Sequence, residues 1–170
     1  KGNIWVGTYG GGISRFSKEN DTTEYEIETY STQKRQLISN HIIDLEIDAK
    51  GRIWYAAPGK GLGYIDGNYF SRRTLKGLKR ENLRSLCADS NYLYVASIQG
   101  LNVVDLWNDS LYAQSLDSPF DLTSENIYSL QLDEDGNLWV GSEKGLDRLT
   151  LDECKFWSWT TLMPTTDLQV

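Results

Sequence analysis

The chain has 170 residues, 39% of them hydrophobic and 12% aromatic, a composition that fits a folded β protein and argues against disorder. Seventeen basic against 24 acidic side chains leave a net charge of −7, which argues against a phosphate-backbone partner such as nucleic acid and favours neutral, cationic or small ligands. No apolar run reaches the roughly 18 residues of a membrane-spanning helix.

In chain order, the first element is Gly2-Asn3-Ile4-Trp5-Val6-Gly7-Thr8, a short apolar strand after a Gly-Asn turn, followed by Gly11-Gly12-Ile13. His41 to Asp48 alternates apolar and polar at period two, the signal of a half-buried strand. Ala49-Lys50-Gly51 then makes a tight turn into the strand of Trp54, and the loop Pro58-Gly59-Lys60-Gly61 leads to a third strand, Leu62 to Ile65. Asp66-Gly67-Asn68 is a hairpin turn of the kind Asp-Gly favours, and Tyr69 to Thr74 is a fourth strand. Asn82 to Asp89, Tyr94 and Gly100-Leu101 repeat the order in degenerate form. Asn126 to Asp133, Trp139, Gly145-Leu146 and Lys155 to Trp159 repeat it again.

Trp5, Trp54, Tyr94 and Trp139 are thus four copies of one position, 49, 40 and 45 residues apart. That spacing is the period of one four-stranded propeller blade. The fold class is all-β, a β-propeller array of about four four-stranded blades. The whole chain, 1–170, reads as a single repeat array with blades at about 1–33 plus 166–170, 41–74, 82–116 and 125–160. Asp167-Leu168-Gln169-Val170 matches Asp44-Leu45-Glu46-Ile47, so residues 166–170 are expected to supply a first strand beside Trp5 if the array closes. If it stays open, those edges wait for further blades or another chain. The lack of an initiator Met and of a signal peptide, with Lys1 already inside a repeat, suggests a piece of a longer protein.

The run Asn126 to Ser142 with Gly145-Leu146, and the opening Gly2 to Thr8 with Gly11-Gly12-Ile13, resemble the two-component regulator propeller repeat. The resemblance extends over nearly the whole chain and is weakest in the third repeat. It implies a fragment of a larger, about seven-bladed propeller in the periplasmic sensor region of a hybrid histidine kinase of Bacteroides-like bacteria, with a membrane-anchored parent. It also implies a non-catalytic role, since the kinase is not among these residues, and an oligosaccharide as ligand. The partners implied are the rest of the parent receptor and a second copy paired through blade edges. No cofactor is implied. A propeller lyase or hydrolase and a protein–protein assembly module are the rival readings.

Residues recurring in register are placed by architecture, so Trp5, Trp54, Tyr94 and Trp139 are expected in the packing between blades, with Tyr94 needing a hydroxyl partner. Trp107, Trp157 and Trp159 fall outside the register. Asp133-Glu134-Asp135-Gly136-Asn137 has the start of a calcium loop without its later ligands and reads as a hairpin turn. His41 is the sole histidine, too little for a triad or metal site, and is expected at an exposed connection. Cys87 and Cys154 read as free buried thiols. Asp44, Glu46, Ser85, Ser129 and Gln131 fall out of the apolar parity of the innermost strands and are expected to face a water-lined central channel. Blade topology puts the second-to-third-strand loops and the inter-blade connections on one face, where binding usually lives. The ligand-binding candidates on that face are Tyr9, Lys60, Gln99, Glu143 and Lys144.

Overall fold

A computed structural model describes residues 2–18, 24–71, 78, 82–107, 113–115 and 122–150. Every element in it is a β-strand, and the strands form four antiparallel sheets in sequence order. The first sheet holds β1 (Ile4–Thr8), β2 (Gly12–Ser17) and β3 (Glu26–Tyr30). The second holds β4 (Asp44–Ile47), β5 (Ile53–Ala57), β6 (Gly61–Asp66) and β7 (Tyr69–Ser71). In the third are β8 (Leu83–Ala88), β9 (Tyr92–Ser97), β10 (Gly100–Asp105) and β11 (Ala113–Ser115). The fourth has β12 (Ile127–Leu132), β13 (Asn137–Ser142) and β14 (Gly145–Thr150). These are consecutive blades of a β-propeller, each a meander whose neighbouring strands are joined by turns. The expected first strand at 166–170, the fourth strand of the last blade, Cys154, Trp157 and Trp159 lie outside the described residues.

Successive blades pack face to face, and each interface has its own core. Ile13, Tyr30, Ile42, Tyr55 and Ile65 fill the first. Trp54, Leu62, Leu86, Val95 and Val104 fill the second. Tyr94, Leu101, Ile127, Leu138 and Val140 fill the third. A single sheet of this size cannot bury its apolar residues alone, so stacking is the condition for folding. Trp54 and Tyr94 are buried, whereas Trp5 and Trp139 are half-buried. Among the described residues no helix is long and apolar enough to cross a membrane.

In the second, third and fourth blades the repeated Trp or Tyr is held by an aspartate just after the preceding strand. Trp54 Nε1 donates to Asp48 Oδ2 at 2.7 Å, and Trp139 Nε1 donates to Asp133 Oδ2 at 2.9 Å. The Tyr94 hydroxyl, the degenerate case, donates to Asp89 Oδ2 at 2.9 Å. The same carboxylates accept backbone N–H groups of their own turn: Lys50 and Arg52 for Asp48, Asn91 and Tyr92 for Asp89, Asn137 for Asp133. Gly51 and Gly136 occupy the positive-φ corner of the two longer turns, at 78° and 80°, a conformation glycine takes without Cβ cost. The third turn lacks that residue, which is why tyrosine follows its aspartate by five positions rather than six. Asp133-Glu134-Asp135-Gly136-Asn137 is therefore a hairpin turn, closed by Gly136 N–H donating to the Asp133 carbonyl. Its leading carboxylate is spent on Asn137 and Trp139.

Three hydrogen-bond donors, one from the backbone and two from side chains, set the acidity of Asp133. The Asn137 backbone N–H, its side-chain amide and the Trp139 indole hold the Asp133 carboxyl down at about 2. Burial alone would raise Asp48, but the bonds from Trp54 and from the Arg52 backbone and guanidinium outweigh it and hold that carboxyl below its ordinary value. Arg52 Nε donates to Asp48 at 2.6 Å with both side chains nearly inaccessible to water.

The innermost strands are stitched by side chains. β4, β8 and β12 are sheet edges, and an edge strand must find partners for its outward N–H groups. Asp44 accepts Leu86 N–H at 2.7 Å, and Glu46 accepts Ala88 N–H at 3.2 Å. One blade on, Ser85 Oγ accepts Leu130 N–H at 3.3 Å, and the Cys87 sulfur meets the backbone N–H of Leu132. Asp44, Glu46 and Ser85, expected to line a watery channel, thus serve as inter-blade clasps. Ser129 and Gln131, the matching positions of the fourth blade, are exposed. Burial, with the neighbouring Asp44 charge adding to it, raises the pKa of Glu46 above its ordinary value despite the Ala88 bond. Burial also pushes the free Cys87 thiol up to about 11.

Candidate functional site

The described first strands do not alternate all the way. Ile42 and Leu45, Leu83 and Leu86, and Ile127 and Leu130 point inward, three positions apart rather than two. The register explains it. Leu83 faces Ser97 and Ser85 faces Ala96, so Arg84 is an extra residue in β8. Ile127 faces Ser142 and Ser129 faces Gly141, so Tyr128 is an extra residue in β12. A bulge of this kind bends the strand and re-aims its side chain.

Ile43, Arg84 and Tyr128 are the same repeat position in three successive blades, and the first two stand one residue before the clasp residues Asp44 and Ser85. Together with Pro58, Asn82 and Leu83 they line one cleft of about 310 Å³. All three are exposed. The Arg84 guanidinium lies 4.7 Å from the centre of the Tyr128 ring, a distance typical of a cation–π contact. Asn82 enters β8 with φ at 53°, a left-handed conformation that asparagine tolerates better than most residues. The lining offers an aromatic face, a branched aliphatic side chain, a proline, a side-chain amide and a guanidinium. It has no carboxylate, imidazole or hydroxyl nucleophile apart from the phenol.

The five loop residues singled out in the sequence lie one turn to a blade, outside that lining. Tyr9, in the β1–β2 turn, is 79% exposed and stacks on His41 with ring centres 4.3 Å apart; a single bridge pairs the two residues. His41 is thus exposed at a connection, as its position suggested. Lys60 closes the β5–β6 turn by donating its N–H to the Ala57 carbonyl. The Gln99 N–H donates to Ser97 Oγ, and the Lys144 N–H to Ser142 Oγ. Glu143 accepts the Asn126 amide at 3.0 Å and the Ser124 hydroxyl at 3.1 Å, and these bonds hold its carboxyl below the ordinary range. Pro58, two residues from Lys60, is the part of these turns that reaches the cleft. Among the described residues no group of three or more His, Cys, Asp or Glu side chains could hold a metal ion.

Residues 121–144, which include the first strand and the Trp139 strand of the fourth blade, match the two component regulator propeller family. The match spans one repeat of the chain. The repeat contributes Tyr128 to the cleft, Asp133 and Trp139 to the clasp beneath it, and Glu143 to the loop face. No curated protein gives a significant match to the chain. Among solved structures, the extracellular domain of the hybrid two component system BT3049 from B. thetaiotaomicron is similar over 89% of this chain and 20% of its own, with a TM-score of 0.68 and 22% identity. The extracellular domain of BT4673 from the same organism is similar over 89% of this chain and 22% of its own, with a TM-score of 0.68 and 18% identity. PorZ, a surface component of the type-IX secretion system of Porphyromonas gingivalis, is similar over 86% of this chain and 24% of its own, with a TM-score of 0.61 and 19% identity. The chain spans about a fifth to a quarter of the length of these structures.

Proposed function

We propose that these blades are a non-catalytic, ligand-binding part of the periplasmic sensor of a two-component receptor, and that the ligand is an oligosaccharide seated in the Ile43–Arg84–Tyr128 cleft. The single observation that carries the reading is that two bulges, in β8 and β12, bring Arg84 and Tyr128 into one cleft beside Ile43. Aromatic and aliphatic surface flanked by an amide and a guanidinium suits a pyranose ring with its apolar face and polar rim. The family matched by residues 121–144, and the extracellular domains of hybrid systems among the similar structures, support a sensor. Ile43 and Arg84 immediately precede the clasp residues Asp44 and Ser85, so a ligand that draws the bulges together acts on the inter-blade stitching. A receptor responds when its ligand favours one such packing over another.

The test is calorimetric titration of a panel of plant and host oligosaccharides into the chain and into a Tyr128→Ala variant. At least one sugar should bind the chain, with the variant weakened by about tenfold, the loss expected for about 1.4 kcal/mol of stacking. Binding that ignores Tyr128 would place the ligand elsewhere and end this reading.

A second reading rests on β1. Ile4 and Val6 are 52% and 39% exposed, while the matching Ile53 and Tyr55 of the second blade are 5% and 0% exposed. An apolar edge that is open among the described residues suits strand pairing with another chain. Light scattering over a concentration series decides it: a dimer dispersed by Val6→Lys supports assembly, and a monomer at every concentration removes it.

A further inference from the structure

Resting on the ligand-binding reading of the cleft, we propose that Arg84 makes this site selective for a ring that carries an anion, so that the ligand class is an acidic sugar bearing a carboxylate or sulfate. The chain holds 24 acidic side chains against 17 basic ones. Arg15 and Arg52 each have a carboxylate within 4 Å, whereas Arg35 and Arg148, like Arg84, have none among the described residues. Arg84 has no ion pair among the described residues. Its recorded contact is the face of Tyr128, and stacking of that kind leaves the N–H edge of a guanidinium free. That edge is a planar fork matched to the two oxygens of a carboxylate or sulfate.

The surroundings keep the fork available. None of the six lining residues is acidic. The carboxylate next in sequence to the cleft, Asp44, already accepts the N–H groups of Leu86 and Leu45. The bulge at Arg84 is a second reason to assign a ligand role, since a ladder position would have served packing better and the extra residue turns the cation outward. The net charge of −7 opposes an anion at long range. That repulsion is screened within about 8 Å at physiological salt, whereas a direct fork contact is not. Stacking on Tyr128 and pairing with Arg84 are adjacent, so a single ring with its anionic substituent reaches both.

The experiment uses the full chain with three probes: the trisaccharide of galacturonic acid, its fully methyl-esterified form, and inorganic sulfate. Each is titrated into the chain and into Arg84→Gln, with the thermal midpoint of both proteins recorded. The acid should bind at least about tenfold tighter than the ester, as a charge-assisted fork predicts. Arg84→Gln should bring the two within about twofold without moving the midpoint, because Arg84 is exposed. Sulfate alone should bind far more weakly than the acid. Equal binding of acid and ester to the chain overturns the selectivity and leaves the cleft reading standing. Sulfate binding as tightly as the sugar overturns the ring requirement. Failure of both sugars up to about 10 mM, a Kd worth less than about 3 kcal/mol, overturns selectivity for this acidic class, while the separate Tyr128→Ala titration still judges the cleft.

Discussion

The first and second blades contain almost the same strand, Ile4-Trp5-Val6-Gly7-Thr8 against Ile53-Trp54-Tyr55-Ala56-Ala57, yet only the second is buried at every position. The difference is not in β propensity or pattern. β5 has β4 on one side, β6 on the other, and cores on both faces, whereas β1 has no described first strand beside it and a core on one face. In a repeat protein burial belongs to the neighbour as much as to the residue. Equivalent residues in interior and flanking blades should therefore differ in energetic weight, and paired substitutions measure that directly.

The largest contrast is expected for tryptophan. Trp54→Ala removes a fully buried ring and leaves Asp48 without its indole partner, and should cost about 3–5 kcal/mol in denaturant unfolding. Trp5, half-buried between Tyr30 at 5.6 Å and Arg15 at 5.9 Å, should cost less than half as much when truncated. Equal losses would mean that the flanking blade is covered in solution as the interior one is.

Next come the clasps. Asp48→Asn keeps an acceptor but removes the charge facing buried Arg52, and should lower stability by about 1.5–3 kcal/mol. Asp133→Asn, in the flanking blade, should have a smaller effect in the same assay. A reversal of that order would show that the turn, rather than burial, sets the worth of the clasp.

Acid should separate the two kinds of carboxylate. Asp48 and Asp133 sit below their unfolded values, so their contribution is present above pH of about 4. It is lost as pH falls further, for Asp133 through about 2. Glu46 sits above its unfolded value, so its contribution is present in acid and lost as pH rises through the raised value. The thermal midpoint should consequently rise slightly on going down from pH 7, pass a maximum, and fall below about pH 4. Glu46→Gln, which keeps an acceptor for Ala88, should abolish the initial rise and stabilise the chain at pH 7 by less than about 1 kcal/mol. A rise that persists in the variant would assign it to another group.

The smallest effect is chemical. Cys87 is buried and its thiol is pushed up to about 11, so at pH 8 it should react with a thiol reagent only as fast as the third blade opens. Cys87→Ser should preserve the contact to Leu132 with little change in stability. Rapid labelling of the folded chain at Cys87 would contradict the packing of β8 on β12.

Much of the architecture was legible because blade period, Gly turns and the Trp position repeat. Those are local signals that need no partner. The clasp below each ring was also written in the chain, as an aspartate five or six residues ahead of Trp54, Tyr94 and Trp139, but it reads as turn chemistry until the indole and phenol are seen to reach it. The bulges left a fainter trace, the three-residue spacing of Ile42 and Leu45, Leu83 and Leu86, Ile127 and Leu130. Loop position drew attention to Tyr9, Lys60, Gln99, Glu143 and Lys144, whereas the cleft takes its residues from strand ends.

By itself the sequence determined that the chain is a β-propeller array, where each blade's strands turn, and that Tyr94 must find a partner for its hydroxyl, because periodicity and turn conformation are properties of short segments. Only the tertiary structure decided which tryptophans are buried, that Asp44, Glu46 and Ser85 clasp the next blade, and that Ile43, Arg84 and Tyr128 share one cleft. Those residues are about 40 positions apart in sequence, and side chains so distant meet only when the sheets stack, at a spacing and tilt that no single repeat encodes.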